Sequence, residues 1–330
     1  MTQRLFGVVG ITVLTLLLYV PRLNAAAVPD RLVGLHSAQV MSQSMPWIAR
    51  EAGLFKKYDL DFNLVFIPSS PVATAATISG DAEIGVTGAV GNVRAIVQGS
   101  NDLVFIGGMK NFLTHSIMGK ADIKSPQDLK GKKVAVGRFG GNTHYFVVQA
   151  LRRLGMDASK DIQTIQTGGG PETVASLLGG NVDAAGLVAP GDFQVASRGY
   201  RYVVNGFDLK IPYAATCVVT LRSLINKRGP VISRFMRSMA EASKLMHSDR
   251  ALVYKVLGKY LRITDPKVLD ASYNSEIAAM EHRLEIHEAA LQASLDEIAP
   301  LDARAKAIKP ADMIDRRFLV ELDKSGVFAK

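Results

Sequence analysis

The chain has 330 residues, of which 48% are hydrophobic and 21% charged, with 29 Gly and 13 Pro. This composition excludes collagen, low-complexity disorder and a disulfide scaffold, and the length accommodates one large or two medium domains. The 39 Lys and Arg exceed the 30 Asp and Glu, giving a net charge of +9, but the excess is spread along the chain and does not indicate a nucleic-acid partner.

The first segment of the chain has the layout of a secretory signal. Arg4 precedes an apolar run over residues 5–20, and residues 24–27 supply small side chains for a cleavage site. The run is shorter than the ~20 residues of a membrane-spanning helix, so we predict a cleaved signal peptide over residues 1–27 rather than an uncleaved anchor. Because no cysteine lies near the cleavage site, lipid attachment is not expected. The mature protein is expected in the periplasm.

Short apolar strands then alternate with helices, which favours an α/β fold with largely parallel sheets. The pattern predicts strands over 31–37, 60–67, 82–86 and 103–107, and helices that end at Gly53, at Ser79 and near Gly99. It starts again after residue 125, with strands over 134–137, 162–166 and 182–188 and a helix over 144–154. Two successive units of this kind indicate two similar lobes. Residues after 229 are predicted to be mostly helical, with breaks at 261–264 and 300–310, and apolar spacing favours one helix over 280–298.

Small polar residues follow the predicted strands just ahead of helices in both halves of the chain. In open α/β sheets ligands bind at the carboxyl ends of strands, where helix N-termini favour carboxylate, sulfonate or phosphate groups. Ordinary helix capping explains any single Ser or Thr, and only the repetition favours a ligand site. The candidate residues are Ser42, Gln43, Ser44, Ser69, Ser70, Thr87, Gly88, Gly140, Gly141, Asn142 and Thr143.

Arg138 follows a predicted strand beside Gly140 and Gly141, where a ligand can approach the backbone closely. Its guanidinium is suited to a bidentate contact with an anion, and an ion pair within the protein is the alternative. Residues 168–170 are three glycines without the Gly-Lys-Ser/Thr of a P-loop, so nucleotide binding is not favoured.

Signs of catalysis, cofactors or metal ions are weak. The six histidines show no HExxH spacing, and no Gly-x-Ser-x-Gly elbow occurs. Cys217 is the only cysteine, which excludes an internal disulfide and a CxxC site, and its apolar neighbours predict an inert buried thiol. We therefore expect a protein that is not an enzyme and that binds no metal or cofactor.

Five stretches of the sequence match motifs of one known family: residues 47–61 around Gly-Leu-Phe, residues 78–85, residues 125–136, residues 177–184 and the closing stretch 315–328. They resemble the ABC-transporter periplasmic substrate-binding proteins of the nitrate/sulfonate/taurine branch, the SsuA/THI5-like or NMT1 family. They span the mature chain in the family's order. The pyrimidine-forming enzymes of the THI5 branch carry a cysteine-rich motif that this chain lacks, so their activity is not transferred.

The resemblance implies a two-lobed, type II-like periplasmic binding protein with a ligand cleft between the lobes. It implies a first lobe over 28–112, a second over 113–218, and a C-terminal helical segment over 219–330 that packs back on the first lobe. The crossings between lobes are expected near 110–119 and 211–221. By position, the resemblance adds Asn111 and Pro190 to the candidate site and supports Arg138 within it.

The function expected from this resemblance is capture of a small organic anion by hinge closure and its delivery to an importer. The implied partners are the ligand and the ABC permease and ATPase subunits, with the binding protein a monomer. A ligand sensor that signals to a membrane receptor, binding of a neutral pyrimidine and an enzyme on the same scaffold remain alternatives. A LysR-type effector domain shares the architecture, but the export signal stands where the DNA-binding helices of such a regulator would be.

Overall fold

The computed structural model describes residues 28–328, so the predicted signal peptide lies outside the described residues. The described residues form two five-stranded sheets of similar topology. Short 3₁₀ helices cover Met41–Gln43, Pro126–Leu129, Ala303–Ala307 and Pro310–Met313. Within residues 28–328, no helix is both long enough and apolar enough to cross a membrane.

In the first sheet, the first strand pairs in parallel with the second and the third, and helices connect these strands, as the alternating pattern predicted. The elements of this part are β1 (Asp30–His36), α1 (Met45–Glu51), α2 (Leu54–Lys57), β2 (Leu60–Phe66), α3 (Ser70–Ser79), β3 (Ile84–Thr87), α4 (Ala89–Val97) and β4 (Leu103–Leu113). Gly53 and Gly80 adopt φ of 70° and 83° after α1 and α3, which is the left-handed conformation that commonly follows a helix. The strand predicted over 103–107 is longer than expected, because it continues through Gly107 and Gly108 to Leu113.

The second sheet repeats this arrangement in the middle of the chain. Its elements are β5 (Ser116–Gly119), β6 (Lys133–Val136), α5 (Asn142–Arg153), α6 (Ala158–Asp161), β7 (Gln163–Gln166), α7 (Gly170–Leu178), β8 (Ala184–Leu187), α8 (Gly191–Ala196), β9 (Arg201–Asn205) and α9 (Gly206–Leu209). The strand order is β7-β6-β8-β5-β9, with β6 parallel to β7 and β8, and with β5 antiparallel to β8 and β9.

The C-terminal part returns to the first sheet. Its elements are β10 (Ile211–Leu221), α10 (Arg222–Ser248), α11 (Arg250–Leu261), α12 (Pro266–Ile277), α13 (Glu288–Ile298) and α14 (Arg317–Lys324). The first sheet has the order β2-β1-β3-β10-β4, and β10 is antiparallel to both neighbours, pairing with β4 from Ile211 and with β3 over Cys217–Val219. β10 covers the stretch 211–221 where the second crossing was expected, and the lobe boundary at 218 stays a prediction.

The C-terminal helices pack on the first sheet and complete its core, as expected. Phe235 of α10, Val256 of α11 and Phe318 of α14 are buried in one cluster with Leu32 and Val104 of the sheet. Burial of apolar surface contributes about 25 cal/mol per Å². Because the C-terminal helices supply part of this cluster, the first lobe gains that stabilisation in full only when the last third of the chain is folded.

The single helix predicted over 280–298 is wrong. Only Glu288–Ile298 is helical, and Leu284 adopts a left-handed φ of 57°. The amide of Gly108 donates to the Leu284 carbonyl at 2.7 Å, and the amide of Glu281 donates to the Met109 carbonyl at 2.8 Å. Because β4 is the edge strand of the first sheet, residues 280–287 give up helical hydrogen bonds in order to cover that edge.

Candidate functional site

The cleft lies where the loops that follow strands of both sheets meet. The chain crosses from the first sheet to the second between Leu113 and Ser116 and returns between Asn205 and Ile211. A cavity of about 110 Å³, here called the inner compartment, opens between the sheets beside the first crossing. Its wall consists of Ser37, Ala38, Gln39, Val40, Phe66, Pro68, Ser69, Ser70, His115, Gly137, Arg138, Gly141, Asn142, Thr143, Gly168, Gly169, Gly170, Thr173 and Val188.

The wall of the inner compartment carries a cation and no acid. No Asp or Glu in residues 28–328 lines it, although the chain contains 30 of these residues. Arg138 is half-buried, and it forms no ion pair with any residue in the described range. An uncompensated guanidinium in a partly enclosed site favours an anionic ligand, because it offers planar, paired N–H donors.

Buried polar atoms without hydrogen-bond partners converge on the same cavity. In residues 28–328 these atoms are Ser44 Oγ, Ser69 Oγ, Thr87 Oγ1, His115 Nδ1, Arg138 Nε and Ser294 Oγ. Three of these residues line the wall of the inner compartment. A buried donor or acceptor left unsatisfied costs about 1–3 kcal/mol, and buried polar groups in folded proteins are normally paired. The concentration of such atoms in one place is typical of a site that a polar ligand completes.

Helix N-termini add positive potential to the wall. Helices α3, α5 and α7 begin there, and their capping residues Ser69, Gly141 and Gly169 provide no side-chain hydrogen bond. Away from the wall, α11 and α12 are capped by the carboxylates of Asp249 and Asp265, whereas α10, α13 and α14 also lack a side-chain cap. The first turn of a helix has amide groups without intrahelical partners, and its dipole favours negative charge. The N-termini of α3 and α5 are therefore suited to an anion, while at α7 the Glu172 carboxylate already lies beside Gly169.

His115 is a wall residue that the sequence analysis did not select. Its side chain lies in the first crossing, stacks on Phe146 with ring centroids 5.6 Å apart, and is buried. Burial, together with the charge of Lys110, lowers the pKa of His115 to about 3. The imidazole is therefore neutral at physiological pH and offers one donor and one acceptor nitrogen. The His115 carbonyl accepts a hydrogen bond from the Gly206 amide at 2.7 Å, which links the two crossings.

The structure brings half of the predicted site residues to the cleft. Those in the wall of the inner compartment are Ser69, Ser70, Arg138, Gly141, Asn142 and Thr143. Pro190 lies in the wall of an adjoining cavity of about 560 Å³, here called the outer compartment. Ser69 also adopts a φ of 80°, which is uncommon for a residue with a Cβ atom and occurs preferentially at ligand-binding sites.

Three predicted residues at the start of α1 lie behind the wall rather than in it. Ser42 Oγ is hydrogen-bonded to Thr216 Oγ1 at 2.8 Å, and Ser44 caps α1 without a side-chain bond. Gln43 Oε1 accepts from the amides of Ser37 and Ala38, both at 2.8 Å. Gln43 therefore shapes the loop after β1 that lines the cavity, and its contribution to the site is structural.

Four further predicted residues also lie outside the wall. Thr87 is buried at the end of β3, the Gly88 amide donates to Ser70 Oγ at 3.2 Å, and Gly140 is close to Arg94. Asn111 lies on a different part of the first sheet. It donates to the Glu285 carbonyl at 2.9 Å and accepts from the His287 amide at 3.0 Å, so it holds the segment that covers β4.

Contacts across the cleft hold the N-terminus of α5 against the first sheet. Asn142 Nδ2 donates to the Ala215 carbonyl at 2.8 Å, and Tyr213 donates to Asn142 Oδ1 at 2.9 Å. Tyr213 accepts in turn from the Val90 amide at 3.1 Å. Gly88 is packed so closely that a Cβ atom there would lie 2.0 Å from Asn142 Oδ1. The two lobes are thus joined by a polar contact adjacent to the ligand cavity.

Comparison with known proteins agrees with this architecture. The chain is 29% identical over 154 residues to the taurine-binding periplasmic protein of Escherichia coli K12, a match to 46% of this chain and 44% of that protein. The match thus spans about half the length of this relative.

Two solved structures match the fold over most of the chain. One is the alkanesulfonate-binding protein SsuA of Xanthomonas axonopodis pv. citri bound to MOPS, with a TM-score of 0.74 and 21% identity over 88% of this chain and 100% of that one. The other is the periplasmic aliphatic sulphonate binding protein SsuA of Escherichia coli, with a TM-score of 0.69 and 23% identity over 87% and 92%. These similarities establish a periplasmic-binding-protein fold.

The family follows from the sequence itself. The family model described as "NMT1/THI5 like" matches residues 44–250, which is more than half of the chain and includes every described strand except β1, as well as most of the cleft wall. The chain belongs to the NMT1/THI5-like family.

Proposed function

We propose that this protein is the periplasmic solute-binding component of an ABC importer and that its solute is a small organic anion. The observation that carries the proposal is the inner compartment, whose wall has no acidic residue among residues 28–328 and combines Arg138, His115 and the uncapped N-termini of α3 and α5. The relatives named for taurine and sulfonate binding support the anionic class. The permease and ATPase subunits are the partners that such a role requires.

The mechanism we propose is closure of the lobes around the solute. Ser69 and Ser70 belong to the first lobe, Arg138 and Thr143 to the second, and His115 to the crossing between them. A ligand makes contacts to all of these residues only when the two lobes are closed around it. It therefore binds the closed form more tightly than the open form, and this difference in affinity shifts the equilibrium toward closure. Moving such an equilibrium from mostly open to mostly closed takes about 5.5 kcal/mol, which a few charge-assisted hydrogen bonds of about 1.5–3 kcal/mol supply.

We further propose that the solute is bound and not transformed. Cys217 is fully buried, its thiol donates to the Thr87 carbonyl at 3.0 Å, and burial raises its pKa, so it stays a protonated thiol. Residues 28–328 contain no group of three or more His, Cys, Asp or Glu residues placed to hold a metal ion. These properties support binding without chemistry.

Titration calorimetry with Arg138→Gln tests this function. Sulfonates and carboxylates are titrated into the wild type, and the best ligand is then titrated into the variant. We expect Arg138→Gln to weaken binding by about tenfold or more, equivalent to about 1.4 kcal/mol, because it removes a charge-assisted contact made to the ligand. The unfolding temperature without ligand is expected to change little, since Arg138 forms no ion pair in the described residues.

Arg198→Gln provides the matched control. Arg198 is an exposed residue of the second lobe outside both compartments, so it changes net charge equally without touching the site. Equal affinity of wild type and Arg138→Gln would remove Arg138 from the site. A neutral pyrimidine that binds while no sulfonate or carboxylate does would overturn the proposed solute class.

A further inference from the structure

We infer that the cleft recognises a dianion, a solute with one anionic group in the inner compartment, an apolar spacer and a second anionic group in the outer compartment. This inference rests on the proposed function and narrows its solute class. The outer compartment is the larger cavity, at about 560 Å³ against about 110 Å³. A monoanion that fits the inner compartment leaves the larger part of the cleft unused.

The two compartments adjoin. Gln39, Val40, Thr143, Gly170 and Val188 belong to the walls of both cavities. A ligand anchored near Arg138 would extend from one cavity to the other along this shared wall, which includes Gly170 at the start of α7.

The outer compartment also carries one cation. Among residues 28–328, no Asp or Glu lines its wall, and Arg262 is the one cationic residue that does. Arg262 caps the C-terminus of α11 with a left-handed φ of 55°, is exposed at the mouth of the compartment, and forms no ion pair with a residue in the described range. A guanidinium without an acidic partner at the mouth is the feature that a second anionic group would complement.

The remaining wall of the outer compartment is mixed. Val174, Leu187 and Val188 line it from the second lobe, and Val40 and Leu261 line it from the first, beside polar side chains of Gln39, Thr143, Gln194 and Tyr260. The apolar side chains offer contacts to a hydrocarbon spacer. The outer compartment thus indicates an alkyl or aryl spacer between the two charged groups.

The second contact also strengthens closure. Arg262 belongs to the first lobe, whereas Gly170, Pro190 and Gln194 face it from the second. A group held between them contacts both lobes, as the inner group does. A dianion therefore has two bridging contacts, and each adds to the difference in affinity between closed and open forms.

Paired ligands of equal carbon number test this inference. Butanesulfonate is compared with 4-sulfobutanoate, and hexanesulfonate with 6-sulfohexanoate, by titration calorimetry on the wild type, Arg262→Gln and Lys267→Gln. We expect the better-fitting dianion to bind wild type about tenfold or more tighter than its monoanion partner, which is about 1.4 kcal/mol. Arg262→Gln is expected to abolish this preference and to leave monoanion affinity within about twofold of wild type.

Lys267→Gln separates a local contact from general electrostatic attraction. Lys267 is exposed, lies five residues from Arg262 and is outside both walls, so its replacement should leave the preference for dianions intact. Equal binding of monoanions and dianions to wild type, or a preference that survives Arg262→Gln, would overturn the inference while leaving the proposed function in place. Failure of both ligand types to bind would instead count against the proposed function.

Discussion

At the scale of single residues, Asp192 lies where burial opposes its charge. It is 5% exposed on α8, and its Oδ1 accepts from the Phe193 amide at 2.8 Å. Burial, reinforced by the negative charge of Glu276, raises the pKa of Asp192 to about 7, and Lys110 offsets only part of this effect. Lys110 is itself paired with Glu276 at 2.6 Å, and both side chains are buried.

The Asp192→Asn variant is expected to change how stability depends on pH. The folded protein keeps a proton on Asp192 up to about pH 7, whereas the unfolded chain loses it near 3.8. The free energy of unfolding therefore falls as pH rises from about 4 to about 7, by up to about 4 kcal/mol for a shift of this size. The asparagine side chain cannot ionise and can still accept from the Phe193 amide, so the variant should be more stable than wild type at pH 8 and similar at pH 4.

Chemical denaturation at intervals between pH 4 and pH 8 checks this expectation. The difference between variant and wild type should grow with pH across that range. A constant difference would contradict it and place the pKa of Asp192 in its ordinary range.

The residues that sequence could and could not predict differ in how their position is determined. Arg138 follows a strand and precedes two glycines, so local pattern was enough to place it at a strand end. His115 and Arg262 lie in a crossing and after a C-terminal helix, and only the tertiary fold brings them to the cleft. Asn111 lies within the predicted crossing over 110–119, but its side chain is hydrogen-bonded to the backbone of residues 285 and 287.

At the scale of elements, the helices that begin at the cleft followed from polar and Gly-rich loops after strands. That signal is local, because it depends on turn residues and on the first helical turn. The helix predicted from apolar spacing over 280–298 was wrong because contacts distant in sequence determine the structure of residues 280–287. Backbone groups of Glu281 and Leu284 pair with the edge of the first sheet, and a long-range hydrogen bond of that kind leaves no periodic trace.

The contact between α4 and α5 predicts that Gly88→Ala separates the lobes. Gly88 has an ordinary φ of −77°, so alanine is compatible with the local backbone, but its Cβ would collide with Asn142 Oδ1. The variant should fold and populate a more open form, with a larger radius of gyration in solution scattering. Its ligand affinity should fall in proportion to the closed fraction that is lost.

The double variant Gly88→Ala/Asn142→Ala provides the control for this contact. Removing the Asn142 side chain removes the collision together with its two hydrogen bonds to the first sheet, so the double variant should have the radius of gyration of Asn142→Ala alone. An unchanged radius and affinity in Gly88→Ala alone would show that this contact does not control the separation of the lobes.

At the scale of the whole molecule, two sheets of similar strand order face each other across the crossings, and the C-terminal helices complete the first. The repeated strand-loop-helix pattern indicated two lobes, and the family resemblance supplied the way they are connected. The lobe boundary predicted at residue 218 falls inside β10, which pairs with the first sheet, and it stays a prediction. β10 is apolar along its length, and apolar character alone does not reveal which sheet a strand joins.

The central claim is that the cleft captures a small organic anion, and thermal unfolding of the protein without residues 1–27 tests it most directly. Unfolding is followed alone and with sulfonates, carboxylates, nitrate, bicarbonate, a neutral pyrimidine and an alkylammonium ion. We predict saturable stabilisation by at least one organic anion, about 2.7 kcal/mol at a hundredfold excess over its dissociation constant. Stabilisation by the pyrimidine or the alkylammonium ion, with none from any anion, would contradict the account.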